Sequence, residues 1–245
     1  MTGRRWLILF PLIVGCRAMD FEFSYAFSGG VAETDTTLEI RGGMGTLVRQ
    51  SGTPIGVWQG PVRAVTAEAL WREMPAEAPK GFQLQPGMPN HLLRMKRGGV
   101  EKTVRLAHEP EVLEQVAGLI GALEEAMKQA GQSPVRTVSI RFGGWTAGGA
   151  VVELTAAGVE DVWIPDAAAA VELRCAPAEN RNRVEVAAKP AAGELRIPAG
   201  QTRALEIATV RQAGMVYQAR YRRRGRTAAG GGEIFGETST ALAPQ

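Results

Sequence analysis

Apolar and polar residues alternate with a period of two where the pattern is first legible: in "FEFSYAF", Phe21, Phe23, Tyr25 and Phe27 fall on one face and Glu22, Ser24 and Ala26 on the other. This spacing predicts a strand with one buried face, ended by Ser28-Gly29-Gly30. "TTLEIRGGMGTLVRQSG" then predicts two strands around a glycine-rich turn at Gly42 to Gly45. Thr66 is placed as the N-cap of a short helix, "AEALWREM", closed by Pro75 and the Pro/Gly-rich stretch from Ala76 to Pro89. A hairpin follows, "HLLRMKR" and "VEKTVRL" around Gly98-Gly99. In "EPEVLEQVAGLIGALEEAMKQAG" the period changes to 3.6. Val112, Val116, Ile120, Leu123 and Met127, with Leu113 and Leu119, form one apolar stripe; Pro110 suits its first turn and Gly131 its C-terminal cap. Residues 20–131 therefore read as an α+β unit, an antiparallel sheet packed by a long helix.

After Gln132-Ser133-Pro134, read as a linker, the helical period disappears. Short β-like runs take over: "RTVSIRF", "AVVELTA", "DVWIP", "AVELRC", "NRVEVAA", "ELRIPAG", "RALEIATV" and "MVYQARYRR", separated by Gly, Pro, Asn or Ala-rich turns. The alanines of "AAAAVELRC" suggest a helix, but Val171, Leu173 and Cys175 alternate with Glu172 and Arg174, which predicts a strand. Residues 135–237 read as a mostly-β, immunoglobulin-like sandwich, and 238–245 as a small, polar, frayed tail.

The start of the chain changes how the charge is read. Arg4 and Arg5 precede an apolar run, Trp6 to Val14, too short to cross a bilayer as a helix, and the run ends in "LIVGC". Ile13-Val14-Gly15-Cys16 resembles the lipobox of bacterial lipoproteins. The resemblance implies that residues 1–15 are a signal peptide and that Cys16, diacylated on sulfur, is the mature N-terminus held in a lipid bilayer. Arg17 in place of Asp implies the periplasmic face of the outer membrane. The competing reading is an ordinary signal cut after Ala18, which releases the protein without lipid. The full chain has 28 Lys+Arg against 25 Asp+Glu; without Arg4 and Arg5 the balance is 26 against 25, so its basic character is no footprint for nucleic acid. With Cys16 consumed, Cys175 has no partner and is expected as a buried core thiol.

Motifs for catalysis are sparse. His91 and His108 flank the predicted hairpin, so their ends can approach, but neither has a metal-binding spacing. The glycine-rich pieces "GGWTAGG" and "GGG" lack the lysine or the strand-to-helix setting of a phosphate loop, and the adjacent carboxylates Glu124-Glu125 and Glu160-Asp161 point to different faces. We expect no enzyme, no metal and no cofactor. The order from the aromatic strand through Ser28-Gly29-Gly30, "TAEALWREM", a hairpin and a long helix is similar to emfourin-type proteins, small bacterial inhibitors of thermolysin-like zinc metalloproteases. That resemblance implies an envelope metalloprotease as partner and the Ser28-Gly29-Gly30 loop as the contact. "GELRIPAGQTRALEIAT" resembles the closing strands of immunoglobulin-like domains.

Two surface features complete the expectation. Trp145, between two glycine pairs, is placed as an exposed aromatic contact for a protein partner. Arg220, Arg222, Arg223, Arg224 and Arg226 are placed as a contact for anionic lipid or an acidic partner. The chain thus reads as an exported, lipid-anchored binding protein of the bacterial envelope, an inhibitor or recogniser of a protease. The alternative is a structural lipoprotein docked on an envelope membrane complex.

Overall fold

A computed structural model describes residues 21–29, 34–77, 79, 88–228 and 230–243 of the chain. Cys16 and Gly30, both expected to matter for function, lie outside the described residues. The chain is mostly β, built as large antiparallel sheets, with helix the smaller part. In order it forms β1 (Phe21–Ser28), β2 (Thr34–Arg41), β3 (Met44–Arg49), β4 (Ile55–Pro61), α1 (Ala64–Glu73), β5 (Asn90–Arg97), β6 (Val100–Ala107), α2 (Pro110–Gln115) and α3 (Ala117–Ala130). Then come β7 (Ser133–Thr146), β8 (Gly149–Gly158), β9 (Val162–Ile164), α4 (Ala167–Ala170), β10 (Val171–Pro177), β11 (Glu185–Ala188), β12 (Leu195–Ile197), β13 (Thr202–Ile207), β14 (Met215–Arg223) and β15 (Gly236–Ser239).

Nine strands form one sheet in the order β13-β8-β7-β4-β3-β2-β1-β5-β6. A second sheet, β11-β10-β14-β15, and the pair β12-β9 complete the strands. The large sheet changes its buried face midway, and β4 is where it does so. Ile55 belongs to the core shared with β7, β8, β10 and β14, whereas Trp58, on the opposite side of the pleat, belongs to the core shared with α1 and α3. Toward β6, the helices cover the face bearing Phe23, Leu38, Ile40, Leu93 and Leu106. Toward β13, the second sheet covers the other face, bearing Val138, Ile140, Val152 and Leu154. Each half leaves its remaining face polar: Glu22, Glu39, Arg94 and Lys96 on one side, and the Arg141–Glu153 ion pair (2.5 Å) on the other.

Close approach explains two glycines. A Cβ on Gly45 would sit 2.7 Å from the Ala130 Cβ and 2.8 Å from Val62 Cγ2, and one on Gly60 would run into the Gln129 carbonyl. Only glycine lets α3 come down onto β3 and β4. Strand β4 has its first four residues, Ile55 to Trp58, all buried. Such a strand shows no alternation, and with glycines at 52, 56 and 60 the run is not recognisable as a strand from its pattern.

Several expectations need correction. The single long helix over 109–131 is absent: the chain leaves the helix at Val116 (φ −120°, ψ 28°), giving two unequal helices. A β-branched residue followed by Gly118 and Gly121 weakens the helix there. The break seats Gly118 against Glu73, whose Oε2 lies 2.6 Å from where a Cβ would be. Thr66 does not cap α1. The cap is Arg63, and Thr66 is buried inside the helix, where its Oγ1 accepts from Gln129 Nε2 at 3.1 Å. Ser133 and Pro134, read as linker, begin β7 and pair with Gln59 and Trp58 of β4. The alanines at 167–170 do make one helical turn, capped by Asp166, before strand β10 begins at Val171. The expected frayed tail is docked as far as 243: Thr238 is 2% exposed in β15, and Ala243 bridges Tyr217.

Candidate functional site

The expected contact loop leaves from the end of β1, and the fold holds that end firmly. Ser28 pairs with Thr34 of β2 on one side and Asn90 of β5 on the other. The backbone N–H of Gly29 donates to the Asp35 carboxylate; partial burial nevertheless outweighs that bond and pushes the Asp35 carboxyl above its usual range.

Beside this strand end the fold assembles a chain of three side chains. Phe27 pairs with His91 across the β1–β5 ladder, and His91 pairs with Leu106 across β5–β6. His108, two residues past Leu106, is the diagonal neighbour on the same face. Tyr25 Oη lies 3.0 Å from His91 Nδ1, and His91 Nε2 lies 2.8 Å from His108 Nδ1. The Phe27 ring packs on both imidazoles, with centroids 5.0 and 5.1 Å away. His91 is 7% exposed, and burial, with the nearby His108 adding to it, pushes its pKa down to about 4. Burial pushes the Tyr25 phenol up, so it stays protonated.

The tautomer of His91 sets the direction of the chain. With the His91 proton on Nε2, the Tyr25 O–H donates to Nδ1 and the Nε2–H donates to His108 Nδ1; with it on Nδ1, both bonds run the other way. The bond between the rings fixes the orientation of the His108 imidazole at the surface. Among the described residues no group of three or more His, Cys, Asp or Glu is gathered that could hold a metal ion.

The other expected site residues fall elsewhere and in different states. Trp145 lies near the tip of the β7–β8 hairpin, four strands away from β1 in sheet order. Its ring is partly buried, edge-on to Tyr217 at 4.9 Å and to Phe142 at 5.9 Å, so the exposed aromatic contact is corrected to a packing residue of the second core. The arginine cluster is largely spent internally. Arg220 has a side chain only 12% exposed and bridges Glu172 (3.0 Å) and Glu237 (2.6 Å). Arg222 reaches Glu237 at 3.6 Å. Arg223 pairs with Glu233 at 3.0 Å and lies over Phe235. Arg224 and Arg226 are exposed. Cys175 is buried in β10 and belongs to the second core, whereas Tyr25 belongs to the first.

Two features escaped the sequence reading. The Tyr25–His91 bond was legible in principle, because an alternating strand puts Tyr25 and Phe27 on one face and the hairpin register puts both histidines there. Arg136 gave no such signal. It is fully buried, donates to Glu160 at 2.5 Å and to the Ala228 carbonyl, and so ties β7 to two loops. Comparison of the chain with protein-family models, with curated proteins and with solved structures returns no match.

Proposed function

We propose that this protein is an exported, lipid-anchored binding protein of the bacterial envelope that engages a protein partner with the end of β1. The observation that carries this reading is the strand end itself. Ser28 is paired on both sides, Gly29 is held by Asp35, and the exposed His108 stands beside them on the Tyr25–His91 chain. A recognition segment leaving such a support loses little conformational entropy on binding. The partner class follows the similarity of this half of the sequence to emfourin-type inhibitors: a thermolysin-like metalloprotease of the envelope. The reading of residues 135–237 as an immunoglobulin-like sandwich belongs to the same proposal. It is supported by the packing of β10 and β14 on β7 and β8.

The whole mature chain, not a fragment, is the reagent for the test. Titrated in large excess against a thermolysin-like protease, it should slow peptide hydrolysis, and His108→Ala and Gly29→Trp should weaken the effect without unfolding the protein. Unchanged hydrolysis at high excess removes the inhibitor reading. Retention of full inhibition by both variants moves the contact away from the end of β1.

A further inference from the structure

The two ends of the large sheet differ in what they offer. Among the described residues six large apolar side chains are exposed, and three of them, Met44 (48%), Val65 (68%) and Val100 (54%), lie at the end where β1 begins. Phe21 pairs with Arg97, which pairs with Val100 across the Gly98-Gly99 turn. Glu22 pairs with Arg41, which pairs with Met44 across the Gly42-Gly43 turn, and Met44 in turn pairs with Pro61, just before α1 and Val65. Each hairpin tip therefore carries one arginine and one exposed apolar residue across a pair of glycines.

Chain length sets how far this end can stand from an anchor. Cys16 is five residues before Phe21, and five residues span at most about 17 Å. The opposite end of β1, at Ser28, is about 25 Å further along the strand. The arginine cluster is also distant from the beginning of β1. Arg223 pairs with Gly236, and Gln50, at the far end of β3 from Met44, donates to the Gly225 carbonyl.

Resting on the proposed acylation of Cys16, we infer that the tips Arg41-Gly42-Gly43-Met44 and Arg97-Gly98-Gly99-Val100 lie against the phospholipid surface that holds the acyl chains. Met44 and Val100 enter the headgroup boundary, and the Arg41 side chain, 74% exposed and 3.7 Å from Glu39, extends to headgroup oxygens, while Arg97 stays paired with Glu68 (2.6 Å). The acyl anchor supplies the attachment, and the tips supply orientation. The Ser28–Gly29 end and His108 then face away from the bilayer, toward a partner, and Arg224 and Arg226 are held off the membrane.

The acylated protein is extracted, reconstituted in phosphatidylethanolamine/phosphatidylglycerol vesicles containing brominated chains, and compared as Met44→Trp, Val100→Trp and Val210→Trp. Val210 is 81% exposed and follows β13, so it serves as the control. The expected result is loss of the added emission at positions 44 and 100 with none at 210. Equal quenching at all three positions, or none at 44 and 100, overturns the inference. The mass of the mature N-terminus is measured in the same preparation: an unmodified Cys16 overturns the anchor and this orientation together, whereas an acylated Cys16 without selective quenching overturns the orientation alone.

Discussion

Acidification should destabilise this protein through one imidazole. His91 titrates near 6.5 in an unfolded chain and at about 4 in the fold. Because the folded value is the lower one, the unfolded state takes up the proton first as pH falls. The penalty begins near pH 6.5 and is complete below about pH 4. The gap corresponds to about 3 kcal/mol at 1.36 kcal/mol per pH unit, and the solvent on the His108 side reduces the expected effect to about 1–2 kcal/mol. The assay is urea unfolding of wild type and His91→Gln at a series of pH values from 7.5 to 3.5. Glutamine has no titrating proton, so other groups cancel in the difference. The wild type should lose about 1–2 kcal/mol more than the variant over this range, and the His91 ring resonances should titrate well below 6.5. Parallel pH curves for the two proteins, or a ring titration at or above 6.5, would refute the view of His91 as a buried neutral link.

Three further outcomes follow from the packing. Gly45→Ala should cost about 1–3 kcal/mol in urea unfolding, because α3 must move off β3 to admit the methyl group; unchanged stability would mean that α3 is not seated there. Glu160→Ala should lower the melting temperature more than Arg136→Met, since the first strands a fully buried guanidinium while the second replaces it by an apolar chain and leaves the half-exposed Glu160 to solvent; the reverse order contradicts a buried-charge origin. Trp145→Ala should cost about 3 kcal/mol by loss of packing and leave protease or partner binding intact, measured by thermal unfolding and by titration with the partner.

What the sequence displayed and what it concealed divide along physical lines. Strands β1, β5 and β6 and the turns at Gly42-Gly43 and Gly98-Gly99 were legible because one face is buried and the other wet, so the period-two signal is clean. Strand β4 was illegible because it is buried on both faces. The break at Val116 left the apolar stripe nearly continuous, so the stripe reads as one helix. The arginines of "ARYRRRGR" looked like a free cationic patch, since Glu172, Glu233 and Glu237 reach them only through the folding of distant segments. The approach of the two histidines was legible from the hairpin they flank, and the register brings His108 diagonal to His91.

The strand buried on both faces has a consequence for handling the molecule. Strands β4 and β7 are hydrogen-bonded neighbours although 83 residues separate Ile55 from Val138, its partner at the start of their ladder. Cutting the chain between Gly131 and Ser133 would yield two pieces, each ending its sheet in a bare, largely apolar edge. Such edges template association with other strands, so the pieces should clump rather than behave as independent halves. The halves are therefore expected to melt in a single cooperative transition, and a nick in the loop between α3 and β7 should be more damaging than its surface position suggests.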